Sequence, residues 1–420
     1  MRSLTHELER GFAPAVVALL RKLGEAAAGV GRPLYLVGGP VRDLLLGRPV
    51  MDIDLVVEGP APEVAPALAR VLGGEVKASS PFGTVKVRSP HLAVDIATAR
   101  SETYPSPGAL PVVHPGSLQE DLARRDFTVN AMALHLSPPS FGLLVDPFGG
   151  GEDVPQRALR VLHPRSFADD PTRILRGLRY EVRLGFRLAP ETEALAKGDA
   201  HHLEAVSGDR LRHELERTFQ EAAPEGALER AEEIGVLRAI FPPLHWGEPH
   251  RTAARLLRQS GEKGEPLLFL ALLACTLSPQ EGEGLVARLA LPAGWAKVVR
   301  DTTALPAVLQ GLARHGLRPS QVASPLSGKD PSALQAWSFY HPEPQLQQHL
   351  TLYLRILRHL HPVLRGEDLM ALGVPQGPLV GQLLGELRSA RWDGLVTTPQ
   401  QEQSIIRRRL KELLHPQGKG

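Results

Sequence analysis

Residues 35–57, YLVGGPVRDLLLGRPVMDIDLVV, constrain the fold of this chain more than any other stretch, because they dictate a strand, a turn, a helix and a second strand in immediate succession. Tyr35, Leu36 and Val37 read as the end of a buried strand, and Gly38-Gly39 as a tight turn. Pro40 suits the first turn of a helix, where its missing N–H costs nothing, and the helix should stop at Gly47. Beyond Arg48 and Pro49 the chain re-extends from Met51 to Val57. The two-residue period of a strand then puts Asp52 and Asp54 on one face, with Ile53 and Leu55 on the other.

The same residues point to chemistry. A helix start after Gly38 and Gly39 would offer free amides and Arg42 to an anionic group such as a triphosphate. Two carboxylates facing one way on an apolar strand repel each other unless a cation lies between them. A lone Asp-x-Asp is more often a solvated strand end. Here the turn, the helix and the acidic pair occur in order, which favours nucleotidyl transfer with metal ions held at Asp52 and Asp54.

Composition excludes more than it selects. At 420 residues the chain should hold two to four domains, and 43% apolar with 22% charged residues fits a globular protein. Lys and Arg number 48 against 46 acidic residues, so any nucleic-acid footprint has to be local. The single cysteine, Cys275, rules out a disulfide framework and a multi-thiolate zinc site. The first twenty residues, MRSLTHELERGFAPAVVALL, read as one amphipathic helix rather than an export signal, and the apolar run 266–277 is too short to cross a bilayer. A cytoplasmic protein without a membrane partner is expected.

Strand-like patterns run from about 34 to 147, with a helical insert at 63–72; from about 156 onward they vanish in favour of helical periodicity broken by Gly and Pro. The fold class expected is α+β, with a mixed-sheet head followed by an all-α remainder. Residues 319–332, PSQVASPLSGKDPS, are the best internal linker candidate.

Four further blocks carry chemistry. Asp95, on the strand LAVDIAT, would join Asp52 and Asp54 in a three-carboxylate cage for two Mg²⁺ ions, although alone it reads as a strand-end polar residue. In LARRDFTVNAMA, Arg124 and Arg125 suit phosphate, Asp126 could accept from ribose hydroxyls, and Asn130 adds an amide donor and acceptor. DPFGGGED at 146–153 reads as a turn rather than a phosphate cradle. In FADDPTRILRGLRY, Asp170 can cap the helix that follows, yet Asp170 and Arg173 share one face of its first turn and together can mimic the hydrogen-bonding edge of a base. Arg176 follows at helical spacing, as a phosphate ligand or as part of a solvated basic face.

These blocks, in this order over residues 35–220, resemble the class II tRNA nucleotidyltransferases, the family of CCA-adding enzymes and bacterial poly(A) polymerases. The likeness rests on GGPVRD followed by DID, on RRDFTVNAMA, on the DPFGG turn, on DDPTR and on DRLRHEL at 209–215. It implies a polymerase-β-type head at 1–155, a neck at 156–220 that recognises the base, a helical body at 221–335 and a helical tail at 336–420, arranged as a seahorse. It also implies that Asp52 and Asp54 bind the catalytic metal ions; Asp95, on the reading of the strand above, is the candidate for a third ligand or general base. Arg42, Arg124 and Arg125 would hold triphosphate, Asp126 the ribose, and Asp170 with Arg173 the Watson–Crick edge of ATP or CTP. Asp169 and Asp209 stand where the family commonly has Glu. No His-Asp dipeptide occurs, so the phosphohydrolase domain of some relatives is not expected.

The implied reaction adds the terminal A, or the whole CCA, to tRNA with release of pyrophosphate. The 3′ end, acceptor stem and elbow of tRNA would be bound, with the Arg-rich stretches 251–258 and 407–411 as phosphate contacts or solvated faces. The segment 100–116, RSETYPSPGALPVVHPG, resembles the long loop of A-adding and CCA-adding relatives and lowers the odds of a CC-adding enzyme; its ETYP wording leans slightly toward A addition. A bacterial poly(A) polymerase stays open. A non-catalytic RNA binder is disfavoured by the intact carboxylates, and a small-molecule nucleotidyltransferase by the long helical extension.

Overall fold

The computed structural model describes residues 2–50, 52–79, 83–90, 93–261 and 265–414. Met51 and Leu92, included in the strand readings above, lie outside them. The chain divides into two compact units, Met1–Pro242 and Pro243–Gly420.

The first unit is built on a sheet. Its strands are β1 (Leu34–Val37), β2 (Asp54–Val57), β3 (Glu75–Ser79), β4 (Thr84–Arg88) and β5 (Ala93–Thr98), then β6 (Arg100–Thr103), β7 (Val112–Pro115), β8 (Ala133–His135) and β9 (Leu144–Val145). Seven of them form one sheet in the order β3-β4-β5-β2-β1-β8-β9, while β6 and β7 pair only with each other. The pairing of β2 with β5 is parallel and sets Asp54 directly beside Asp95. Helices α1 (Thr5–Gly11), α2 (Pro14–Gly29), α3 (Gly39–Leu45), α4 (Ala61–Leu72) and α5 (Leu118–Ala123) surround this sheet.

Alternation along the strands sorts the two faces. Tyr35, Val37, Val56 and Ala133 pack with Leu118 and Leu122 of α5, while α2 packs on β1 and α4 on β4. All four residues of β1 are therefore buried, and each large apolar side chain removed from water stabilises the fold by roughly 1.5–3 kcal/mol. Asp54 lies two residues before Val56, so it opens on the α5 face. The capping box of Ser117 and Glu120 starts α5, and the chain leaves it directly into Arg124 and Arg125.

Among the described residues, seven more α-helices complete this unit: α6 (Gly150–Gln156), α7 (Ser166–Asp169), α8 (Thr172–Leu184), α9 (Pro190–Asp199), α10 (Gly208–Phe219), α11 (Pro224–Ile234) and α12 (Val236–Ile240). Gly177 in α8 lets the Phe127 ring approach, since a Cβ there would stand 2.9 Å from Phe127 Cζ. That approach brings Arg173 and Arg176 to the Asp126 segment.

Several expectations need correction. The N-terminal stretch is two helices, α1 and α2, because Pro14 begins a new one. The described part of β2 starts at Asp54, so Asp52 precedes the strand rather than lying within it. Strand pairing does not vanish after 156: β10 (Ala158–Leu159) and β11 (Arg187–Leu188) pair in parallel, too briefly to leave a periodic signal. Residues 319–332 are not a linker. They form the helix Pro319–Leu326 and open the helix Pro331–Tyr340, both prolines standing in a first turn where no N–H is needed.

The second unit is helical in every described element. Seven residues of its helix Pro266–Ala274 are buried, and Cys275 just beyond is buried as well, which pushes its thiol pKa up. No described helix is long and apolar enough to cross a membrane.

Candidate nucleotide site

The candidate metal, phosphate, ribose and base ligands read from the sequence, Asp95 excepted, line one cleft of about 640 Å³ in the first unit. Gly38 begins its phosphate-sized turn with φ 73°, a conformation that favours glycine, and a Cβ there would come within 2.7 Å of Arg125 Nη1. The turn is thus shaped around a guanidinium. Gly39 opens α3, whose Arg42 is buried and donates to Asn130 Oδ1 at 2.6 Å and to Asp43 at 3.0 and 3.1 Å.

From Arg42 a chain of bonds crosses the cleft. Asn130 Nδ2 donates to Asp126 Oδ1 at 3.0 Å, and Asp126 Oδ2 accepts from Arg176 Nε and Nη2 at 2.9 and 2.6 Å. The Phe127 N–H also donates to Asp126 Oδ1. Burial works against charge on Asp126, but Arg176, Asn130 and Phe127 outweigh it and hold its pKa below the ordinary carboxylate value. Both of its oxygens are therefore engaged by the protein, and Arg176 is an ion-pair partner rather than a solvated face.

Two acids that sequence reading missed organise the arginine pair. Asp121, fully buried, accepts from Arg124 Nη2 at 2.7 Å and Arg125 Nη2 at 2.9 Å. Glu102 on β6 accepts from Arg124 at 3.0 Å. The spacing of Asp121 to Arg124 and Arg125, three and four residues along a helix end, was a usable signal. Glu102 had none, because its partner is supplied by packing.

The base-reading candidates lie on the α8 side. The N-cap of α8 is Pro171 rather than Asp170, but Asp170 Oδ1 still accepts from the Thr172 N–H at 3.1 Å, and it also accepts from Arg210 Nη2 at 2.7 Å. Oδ2 of Asp170 has no protein partner among the described residues. Arg173 is buried; it donates to Ser166 Oγ at 2.8 Å and to the Arg124 carbonyl at 2.6 Å, and its guanidinium stands 6.0 Å from the Tyr104 ring centre. Tyr104 in turn donates to Glu102 at 2.9 Å; burial raises its pKa to about 12, so it stays a neutral donor.

Residues 100–116 form the β6–β7 hairpin, and the Gly108 carbonyl accepts from Arg210 Nη1 at 2.7 Å. Arg210 of α10 thus bridges the hairpin tip and Asp170. Glycines 149–151 stand outside the cleft lining, and the Asp146 carboxylate takes the Gly150 and Gly151 amides at 2.8 Å, as a turn would.

The carboxylates do not form the expected three-membered cage. Asp95 is exposed and ion-paired with Lys86 at 3.4 Å, it does not line the cleft, and no group of three His, Cys, Asp or Glu among the described residues is placed to hold a metal. Asp52 and Asp54 do line it. Asp54 opens into the cleft but is partly desolvated there, which raises its pKa; Arg125 opposes this, and Asp52 and Asp95 add to it. An uncompensated carboxylate pair fits a hard divalent cation of the kind bound by one or two carboxylates with substrate phosphates filling the remaining positions.

Residues 34–160 match the family model described as the poly A polymerase head domain, and residues 185–246 match the "Probable RNA and SrmB- binding site of polymerase A". The chain is 37% identical to the A-adding tRNA nucleotidyltransferase of Halalkalibacterium halodurans, over 87% of this chain and 86% of that protein. It belongs to the tRNA nucleotidyltransferase family. The CC-adding tRNA nucleotidyltransferase of Deinococcus radiodurans is 33% identical over 90% of both chains. A solved CCA-adding enzyme, apo form II, superposes with a TM-score of 0.85 at 31% identity, covering 97% of this chain and 99% of that one. The chain spans 48% and 44% of the length of two longer A-adding enzymes that it also matches.

Proposed function

We propose that this protein transfers AMP from ATP to the 3′-hydroxyl of tRNA ending in CC, releasing pyrophosphate. The observation that carries it is the facing of an unneutralised carboxylate pair, Asp52 and Asp54, and a base-sized polar edge, Asp170 and Arg173, in one arginine-lined cleft. The similarity to an A-adding enzyme along most of both chains supports the choice of substrate. A cytoplasmic location and the head, neck, body and tail division at 155, 220 and 335 accord with that reading.

In this mechanism Arg42, Arg124 and Arg125 bind the triphosphate, with Asp121 and Asp43 fixing where their guanidinium groups point. Asp126 acts as a positioning residue through Arg176 and Asn130. Asp52 and Asp54 would hold Mg²⁺, which when bound acidifies the attacking hydroxyl and neutralises charge on the departing pyrophosphate. Asp95, tied to Lys86, contributes negative potential at Asp54.

The base is read by elementary hydrogen-bond matching. Adenine and cytosine both present an amino donor beside a ring-nitrogen acceptor, which suit Asp170 Oδ2 and an Arg173 N–H; guanine and uracil present a carbonyl in place of the amino group. That excludes two bases without a nucleic-acid template.

Incubation with three tRNAs, lacking the CCA end, ending in one C and ending in CC, with CTP or ATP supplied separately, tests the proposal. Incorporation of A alone onto the CC end is expected. Incorporation of C would convert the reading to CCA or CC addition, and no incorporation on any substrate would sink it.

A further inference from the structure

Two tyrosines line the nucleotide cleft, and they spend their hydroxyl protons differently. Tyr104 donates to Glu102 at 2.9 Å. Thr172, another lining hydroxyl, donates to Asp170 at 2.7 Å. Tyr180, on α8, accepts from Arg176 Nη2 at 3.3 Å, and its own proton has no protein acceptor among the described residues. It therefore brings to the cleft wall a hydroxyl donor that the protein leaves unsatisfied.

The ring that carries this hydroxyl is held in place. Phe127 meets it edge-on, with the ring centres 6.1 Å apart and the planes at 81°. The guanidinium groups of Arg42, Arg176 and Arg179 stand 5.9, 5.9 and 5.2 Å from its centre. Burial raises the Tyr180 pKa and the Asp126 charge adds to it, against the pull of those three arginines. The hydroxyl thus keeps its proton near neutral pH and can donate it.

Its surroundings indicate what it meets. Asp126, expected at the ribose, has its oxygens engaged by Arg176, Asn130 and the Phe127 N–H. Arg176 Nη2 links that carboxylate to the Tyr180 oxygen, so the tyrosine is the neighbouring group with hydrogen-bonding capacity to spare. Charged arginines suit the triphosphate, and Asp170 with Arg173 suit the edge of the base. The sugar hydroxyls, neutral and able to accept, are the part of a nucleotide still without a partner, and a neutral donor matches them. We propose that the Tyr180 hydroxyl donates to a ribose hydroxyl of the bound nucleoside triphosphate, which makes Tyr180 a determinant of ribose over deoxyribose. The inference deepens the nucleotidyl-transfer reading above and rests on it.

Affinities for ATP, 2′-deoxy-ATP and 3′-deoxy-ATP, measured without tRNA on the wild type and on Tyr180→Phe, read this contact. The wild type is expected to prefer ATP over at least one of the two analogues. Tyr180→Phe removes the hydroxyl alone and should lower that preference about five- to tenfold, by weakening ATP while leaving that analogue unmoved. The analogue whose disadvantage disappears identifies the hydroxyl contacted. A variant that keeps the wild-type preference overturns the proposal. So does an equal loss for ATP and both analogues, the result expected of a tyrosine that only braces Arg176. Equal affinity of the wild type for all three nucleotides overturns it as well. If Tyr180→Phe does not fold, Tyr180→Met, which also lacks the hydroxyl, carries the same comparison. Because affinity is read without tRNA, a protein that binds ATP through this contact but never extends tRNA would defeat the proposed reaction and leave the ribose contact standing.

Discussion

The carboxyl of Asp54 loses hydration in the cleft and feels the negative charge of Asp52 and Asp95, so the ligand-free protein holds it more protonated than a free aspartate, whose pKa is 3.8. A raised folded-state pKa means that the native chain binds more protons just above pH 3.8, and this group's contribution to stability is lost as pH rises through the raised value. Near neutral pH Asp54 is therefore a destabilising charge awaiting a counter-ion. Asp54→Asn is expected to abolish nucleotide addition while leaving the ligand-free thermal midpoint equal to or above that of the wild type. Added Mg²⁺ should raise the midpoint of the wild type more than that of the variant. A midpoint several degrees lower in the variant would count against this account of Asp54. The arginines beside it were legible as phosphate ligands from residue type alone, but that Asp121 holds two of them was visible only as a helical spacing that several surface salt bridges share.

Among the elements, α8 and the β6–β7 hairpin decide the shape of the edge proposed to read the base. The close approach of Phe127 to Gly177 seats α8, and Gly177→Ala would press a Cβ to 2.9 Å from a ring that cannot yield cheaply. The overpacking should cost about 1–3 kcal/mol, less the few tenths to 1 kcal/mol that Ala regains in helix propensity. A urea-unfolding midpoint and KM for ATP measured on the same variant should both worsen. Arg210 ties α10 to the hairpin tip and to Asp170. Arg210→Gln should leave Asp170 accepting from Thr172 but freer to turn, so the ratio of CMP to AMP incorporated is expected to rise with little change in stability. An unchanged ratio would show that Arg210 only braces the fold. The glycine turn, α3, α8 and α10 could be read from local pattern, since caps, breakers and helical period act within a few residues. The hairpin could not, because Pro and Gly interrupt its alternation and its strands pair only with each other.

For the whole molecule, the cleft's ion pairs set its tolerance of acid. Asp121 and Asp126 are buried, which opposes their charge, yet the arginines against them win and both pKa values are depressed. Depressed carboxylates contribute stability that is present above the unfolded value of 3.8 and is lost as pH falls through the folded values. Urea midpoints should therefore fall steeply below about pH 4, and Asp126→Asn should be less stable at neutral pH but lose less on acidification. A parallel loss in the two proteins would place the acid sensitivity elsewhere. At this scale, proline content misled: read along the chain, 319–332 looks like a joint between domains, whereas its prolines start helices and the contact boundary falls at 242.

Sequence by itself determined the chemistry the chain carries: an acidic pair in alternation, a glycine turn before a helix, arginines adjacent in series, and an acid and an arginine three apart at a helix start. Each of those is set within one or two turns of backbone, where hydrogen bonding and side-chain direction follow from local geometry. Only the tertiary structure decided who pairs with whom. Arg176 reaches an aspartate 50 residues away, and Arg210 a carbonyl 102 residues away. It also turned Asp95 toward Lys86 rather than into the cleft, and set the Tyr180 hydroxyl against Arg176 in that cleft. Such partnerships depend on how packed elements bring distant side chains together, and no local pattern of residues encodes that distance.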